Sequence, residues 1–381
     1  MQATERLVNP QDPQFVFRVG EIYRTLRDVH PLYQDPVDGV YYLSRYDDVV
    51  RATLDVGTYS SGKTPEASEL KPSLGLMDPP EHTQMRATVS REFTPRRVGH
   101  LEDAVRAIVT ELIDGFESEE TVDVVARFGS LVPSLVMGRL MGIPEDVIPA
   151  CRELTNRAKH RLANETTKGP ARESYEVFRE LYQARRTEPR ADLLSDLLGV
   201  RMGDRLLTDD ELEGFAWVLL VGGNDTTAGL IANGIDVLAN ESAQRRALAD
   251  DRRLIPGAVE EMLRFVSPTR ALPRIAVKDV PTPYGTIPEG SRVMLMWGAA
   301  NRDDRMFSDP DTFDIHRNPS RHLAFGHGIH FCLGAALARL EAKVVFEEFL
   351  ARFPTYESAG PPVPMVSATF HGFDSVPVRL R

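Results

Sequence analysis

The sequence predicts a mainly α protein: one large helical domain with small β-sheets, spanning residues 1–381. Three observations carry this expectation. Apolar residues recur at helical spacing over 101–116, 132–141 and 207–238, whereas strand signals are few and short. No internal repeat, low-complexity linker or shift of composition divides the chain. With 42% hydrophobic and 27% charged residues, the composition is that of an ordinary soluble globular protein able to bury a large core.

Along the chain, 40–43 reads as the first strand. The helical pattern of 101–116 stops at a polar cluster, and that of 132–141 ends at Gly142-Ile143-Pro144. Leu207 opens the longest pattern, with Thr208-Asp209-Asp210-Glu211 supplying a cap and an acidic first turn. Running to Leu238 at 1.5 Å per residue, it reaches roughly 45 Å and must cross the whole molecule. A strand group follows at 274–277, 281–285 and 291–294, and Pro and Gly spread through 64–80 and 359–364 as loops.

A net charge of −11 without a basic tract excludes nucleic acid as the expected partner. The longest purely apolar runs, such as 215–221, fall far short of the ~20 residues of a bilayer span, and Met1 to Arg6 lack a hydrophobic signal core. The expectation is a cytoplasmic protein without a membrane partner, and a monomer by default. Two cysteines, Cys151 and Cys332, exclude a disulfide framework and any four-cysteine metal site within one chain.

Cys332 lies in Ala324-Phe325-Gly326-His327-Gly328-Ile329-His330-Phe331-Cys332-Leu333-Gly334-Ala335, where glycines punctuate a loop and an Ala/Leu-rich helix begins at the cysteine. A thiolate there is favoured by the helix dipole, and the N–H groups of Leu333, Gly334 and Ala335 are available to the sulfur. Gly326 and Gly328 permit a tight turn and close approach to something flat. A dinucleotide loop fails for want of a third glycine. A zinc site with His322, His327 and His330, a Cys–His nucleophile and a buried structural cysteine all stay open on these residues alone.

The pattern Phe325-x-x-Gly328-x-His330-x-Cys332-x-Gly334 resembles the haem-ligand signature of the cytochrome P450 family, with every fixed position filled. The resemblance extends over nearly the whole chain. Gly222-Gly223-Asn224-Asp225-Thr226-Thr227, in the middle of the long helix, resembles the family's oxygen-binding segment, where the helix opens over the iron. Two adjacent helical glycines cost roughly 1 kcal/mol each relative to alanine, so they need a reason. Glu261-Met262-Leu263-Arg264 is similar to the family's buried acid–base pair, for which Arg317 supplies a third, structural partner. His82 and Arg86 lie one helical turn apart. They resemble the family's propionate-binding His-x-x-x-Arg segment, with Arg274 and His330 as further propionate ligands.

What the resemblance implies is a P450 fold holding haem b (iron protoporphyrin IX) between the long central helix and the cysteine-loop helix. Cys332 would ligate the iron, with Phe325 packed near the sulfur and Gly334 in its loop. Asp225 and Thr226 would serve proton delivery in a monooxygenase that uses O2 on a small apolar organic substrate. The expected pocket walls are the 64–76 loop, Val218, Val221, Gly222, Thr269, Leu272 and 368–370, including Thr369 and Phe370. Arg270 is expected to face outward rather than to meet an anionic substrate, which is the alternative for it. Only 49 residues follow Cys332. Electrons are therefore expected from a separate ferredoxin and ferredoxin reductase, docking where Arg339, Arg91, Arg96 and Arg97 offer positive charge. A peroxide-using or C–C coupling enzyme of the same haem class, and a non-catalytic haem or zinc protein, are the competing expectations.

Overall fold

The computed structural model describes residues 6–12, 14–159 and 168–380. The long helix is Asp209–Asn240, 32 residues, so about 48 Å from end to end. Its start is a capping box. The Thr208 hydroxyl accepts the Glu211 N–H at 3.3 Å, and the Glu211 carboxylate accepts the Thr208 N–H at 2.8 Å. Arg205 then grips Glu211 through two bonds of 2.7 Å. Around this rod pack the helices Leu131–Met141, Ile148–Lys159, Lys168–Thr187, Ile255–Val266 and Ala335–Arg352.

By length and composition the long helix could cross a bilayer, contrary to the expectation from purely apolar runs. Half of its most apolar window is buried inside the protein. It is the core helix, and its glycines show how closely neighbours approach. A Cβ at Gly234 would stand 2.5 Å from Phe346 Cζ, and one at Gly223 would stand 2.9 Å from Met137 Sδ. Gly223 is therefore explained by packing.

The largest sheet runs Leu32–Gln34, Tyr41–Leu43, Arg292–Leu295, Leu272–Ala276, Tyr59–Ser60 in spatial order. Only the pairing of Tyr41–Leu43 with Arg292–Leu295 is parallel. Side chains alternate across Arg292–Leu295 as a pleated strand requires. Val293 and Leu295 join a cluster with Tyr46, Trp297 and Phe307 on one face, and Met294 joins Tyr23, Tyr33 and Tyr42 on the other. The sequence stretch 281–285 is not one strand. Val280–Thr282 and Gly285–Ile287 form a hairpin that turns at Pro283-Tyr284.

The acid–base pair on Ile255–Val266 is wholly buried, with both side chains 0% exposed. Arg264 meets Glu261 in a two-pronged pair at 2.7 Å and 2.7 Å. Its remaining hydrogens go to the carbonyls of Asn301, Pro310 and Thr312. Glu261 also accepts from Arg317 Nε at 3.1 Å and from the Asp314 N–H at 3.1 Å. This hub ties the helix to the segment that leads into Cys332.

Candidate functional site

The cysteine segment is shaped from below by Asn301. Its Oδ1 accepts the Leu323 N–H at 2.6 Å, and its Nδ2 donates to Ser267 Oγ at 2.9 Å. Gly326 (φ 72°) and Gly328 (φ 65°) then take left-handed conformations that favour glycine. Side chains would be crowded there as well, since Cβ atoms would stand 3.1 Å from Trp297 and 3.2 Å from Leu54. The turn closes when the Cys332 N–H donates to the Phe325 carbonyl at 2.8 Å. The following helix, Ala335–Arg352, starts three residues after Cys332 rather than at it. One N–H, that of Gly334, bonds the sulfur in place of the expected three.

Burial pushes the Cys332 thiol up, while the Gly334 N–H and the charges of Arg86 and Arg339 pull it down. Yet Cys332 keeps open surface. Both statements hold if the sulfur faces an internal cleft, and we read its surface that way. Gly222 is likewise open, with nothing within 4 Å of a Cβ built there, although it sits mid-way along the core helix.

The predicted basic cluster assembles from three separated segments. His82 is 2% exposed, and neither of its ring nitrogens has a hydrogen-bond partner. Its ring lies 4.4 Å from that of His330, whose Nε2 is 3.2 Å from Ser61 Oγ. Arg274 is buried beside them, on the strand opposite Val293, and Arg86 is half-buried. Burial acts on all four of these basic groups. Burial, aided by Arg274, pushes His330 down to about 3, and burial with Arg86 lowers His82. Arg86 and Arg274 carry the positive charge, although burial brings Arg274 down to about 10.

Asp78 is a member of this cluster that sequence reasoning missed. Its carboxylate accepts from Ser60 Oγ at 2.5 Å and from the N–H groups of Ser61 at 2.9 Å and Gly62 at 3.2 Å. It thereby fixes the turn that carries Ser61 to His330, and its charge acts on Arg274, His82 and His330. The available signal was Asp78 standing directly before Pro79-Pro80, a helix-start and turn pattern.

On the long helix, Thr226 Oγ1 donates to the Gly222 carbonyl at 2.6 Å. The helix runs through Gly222–Thr227 without a break, so the expected opening is not a rupture of the helix. Asp225 is half-buried one residue before Thr226.

The expected pocket walls come together only in part. Thr269 and Phe370 form an antiparallel bridge, and the Arg270 N–H donates to the Thr369 carbonyl at 2.8 Å. Ala368 is buried beside them. Val218 packs on the main core, Val221 on a separate cluster around Trp217, and Leu272 on the sheet cluster.

Two expectations about arginines are corrected. Arg270 does not face outward. It is fully buried over the Phe15 ring at 4.9 Å, because the N-terminal segment covers it. Arg339 is not a free positive charge. It is bound two-pronged to Glu260 at 2.6 Å and 2.8 Å and lies 4.5 Å over the Phe325 ring. The zinc alternative also loses its ligands. His322 Nε2 lies 3.0 Å from Glu260, and no group of three His, Cys, Asp or Glu side chains poised for a metal occurs among the described residues.

An interior thiol with open surface, one buried and one half-buried arginine and an unpartnered buried histidine suit a flat, iron-bearing macrocycle with carboxylate arms. The residues present fit haem, and the fold and site together define a haem-thiolate protein. A family model described as Cytochrome P450 matches residues 146–370. The chain is 37% identical over 355 residues to Cyclomarin C epoxidase CymV of Salinispora arenicola, covering 89% of this chain and 90% of that protein. It is likewise 37% identical over 359 residues to Cytochrome P450 130 of Mycobacterium tuberculosis, covering 89% of each. The crystal structure of CYP109E1 from Bacillus megaterium in complex with testosterone superposes with a TM-score of 0.91 at 31% identity, covering 97% of this chain and 100% of that one. The chain belongs to the cytochrome P450 family. It is a bacterial-type P450 monooxygenase with the mainly α fold of that family and haem b as its cofactor.

Proposed function

We propose that this P450 inserts one oxygen atom from O2 into a small apolar organic molecule, with Cys332 as the iron's thiolate ligand. The observation that carries the reading is the cysteine itself: interior enough that burial pushes its thiol up, yet open-surfaced, with the Gly334 N–H and the charge of Arg86 opposing that push. His82, Arg86, Arg274 and His330 hold the propionates, and Phe325 packs beside the sulfur's loop. When bound, haem supplies an iron centre at which O2 is reduced, and thiolate donation promotes O–O cleavage.

The chain's own residues do the rest. Thr226 and Asp225 hold and pass protons at the cleft face of the long helix. Thr269, Thr369 and Phe370 form one wall of the substrate site, with Val218, Val221, Gly222 and Leu272 as further walls. An apolar substrate fits the company the chain keeps, since CymV is named as an epoxidase and CYP109E1 was solved with testosterone. Screening compounds for spin-state shifts identifies the substrate. With it, Thr226→Ala is expected to lower product formed per electron pair by roughly tenfold while peroxide release rises. Full coupling in Thr226→Ala would remove that residue from proton delivery.

Electrons come from a separate ferredoxin, and the protein works in the cytoplasm. The helix Pro95–Gly99 packs on Ala335–Arg352, which places exposed Arg96 and Arg97 beside the cysteine's helix, with Arg91 nearby in sequence. Arg97 sits 3.7 Å from Asp196. Arg96→Glu together with Arg91→Glu is expected to slow reduction by ferredoxin about tenfold at low salt, measured by stopped-flow, with the difference shrinking as salt is added. An unchanged rate rules out this face.

A further inference from the structure

Arg270 is a buried cation that the chain supplies with no counter-charge. Its side chain is fully enclosed, and among the described residues none of Nε, Nη1 and Nη2 has a hydrogen-bond partner. No carboxylate acts on it, and the one ionisable group that does is Tyr23. A guanidinium keeps its proton in proteins, and a charge taken out of water needs an opposite charge close by. The face of the Phe15 ring, 4.9 Å from Cζ, answers the charge in part. It leaves the edge of the guanidinium, where the N–H groups point, unmet. The neighbouring arginines are served differently. Arg302 donates to the Phe265 carbonyl at 3.2 Å and 2.8 Å and reaches Asp311 at 3.3 Å. Arg27 donates to the Ala299 carbonyl at 2.9 Å.

Tyr23, on the helix Val19–Asp28, brings a second unmet group to the same place. It is 2% exposed, and its hydroxyl has no partner among the described residues. That oxygen would stand 2.9 Å from a Cβ at Gly298, and the Gly298 N–H donates to the Arg270 carbonyl at 3.0 Å. Hydroxyl and arginine therefore meet at one glycine. Burial pushes the Tyr23 hydroxyl up against the pull of Arg270, Arg302 and Arg27, so a tyrosinate is not the missing anion. Burial, aided by Arg270, pushes His371 down to about 3, so the field of this arginine is felt beyond the cluster.

We propose that Arg270 and Tyr23 bind a small monovalent anion of the halide class, chloride being the abundant member, beneath the N-terminal segment. The anion accepts from the guanidinium edge and from the phenol at once, and it supplies the missing charge. A water accepts the same bonds but leaves the charge uncompensated. Phe15 on one side and Gly298 on another keep the guest atom-sized. Phe15 and Tyr23 both belong to the N-terminal segment, whereas Arg270 sits in the loop between Ile255–Val266 and Leu272–Ala276. The anion thus fastens that segment onto the sheet side of the protein.

The test uses the haem-loaded protein exchanged into sodium gluconate, whose anion is too bulky to enter, and titrated with sodium chloride at constant ionic strength. Chloride at about 100 times its Kd is expected to raise the folded-to-unfolded ratio about 100-fold, which moves the thermal midpoint up by about 3 °C for a chain of this size. In Arg270→Gln the midpoints in chloride and gluconate should coincide. In Tyr23→Phe the chloride needed for half of the shift should rise about tenfold, and this milder variant decides the matter should Arg270→Gln fail to fold. Parent crystals soaked in sodium bromide should show an anomalous peak within hydrogen-bond reach of both side chains. Equal parent midpoints in the two salts, or a water rather than bromide between Arg270 and Tyr23, would overturn the proposal. So would a chloride shift that persists unchanged in Arg270→Gln or Tyr23→Phe.

Discussion

Cys332→Ala protein is expected to lose the red-shifted Soret band of the ferrous–CO complex and all product formation. The reason is local. The turn from Leu323 to Gly334 is built by backbone bonds and by two left-handed glycines, none of which uses the cysteine side chain. Alanine therefore leaves the loop standing and removes only the sulfur. His330, His327 and His322 are the nearest imidazoles in sequence. The first is held by Ser61, the third by Glu260, and His327 lies exposed at the surface. The electron donation that favours O–O cleavage disappears with the sulfur. A ferrous–CO spectrum with the thiolate band retained in Cys332→Ala would defeat the assignment.

Glu261→Ala is expected to cost about 3–5 kcal/mol, a large fraction of a stability of roughly 5–15 kcal/mol. Removing the carboxylate leaves the Arg264 guanidinium buried without its anion, and deprives Arg317 and the Asp314 N–H of an acceptor. The carbonyls that Arg264 still holds, at Asn301, Pro310 and Thr312, do not offset a whole buried charge. Chemical denaturation measures the loss, and haem retention should fall in parallel because the same carboxylate orders the approach to Cys332. A midpoint within about 1 kcal/mol of the parent would mean that the pair is dispensable.

Much of this site is legible because it is local. The spacing from Phe325 to Gly334 lies within ten residues, the capping box of Thr208 and Glu211 within four, and Glu261 and Arg264 share one helical turn. What escaped the sequence is what depends on distant chain. Arg339 is neutralised by a residue 79 positions away, and Asp78 is bonded to a turn 16 to 18 positions earlier. Arg270 is buried because the N-terminal segment carrying Phe15 lies over it. Both histidines are held below their usual range by burial, a property of the assembled interior rather than of the letters around them. The division of labour between adjacent glycines was equally hidden: Gly223 fits against Met137, while Gly222 faces open space.

The uneven crowding along the long helix has an evolutionary consequence. A Cβ at Gly223 or Gly234 would stand within 3 Å of Met137 or Phe346, so a larger residue at either position requires a compensating change in its neighbour. At Gly222 a Cβ would meet nothing within 4 Å, and packing leaves that position free to vary alone. Adjacent glycines on one rod are thereby inherited under different rules, one tied to a partner and the other independent.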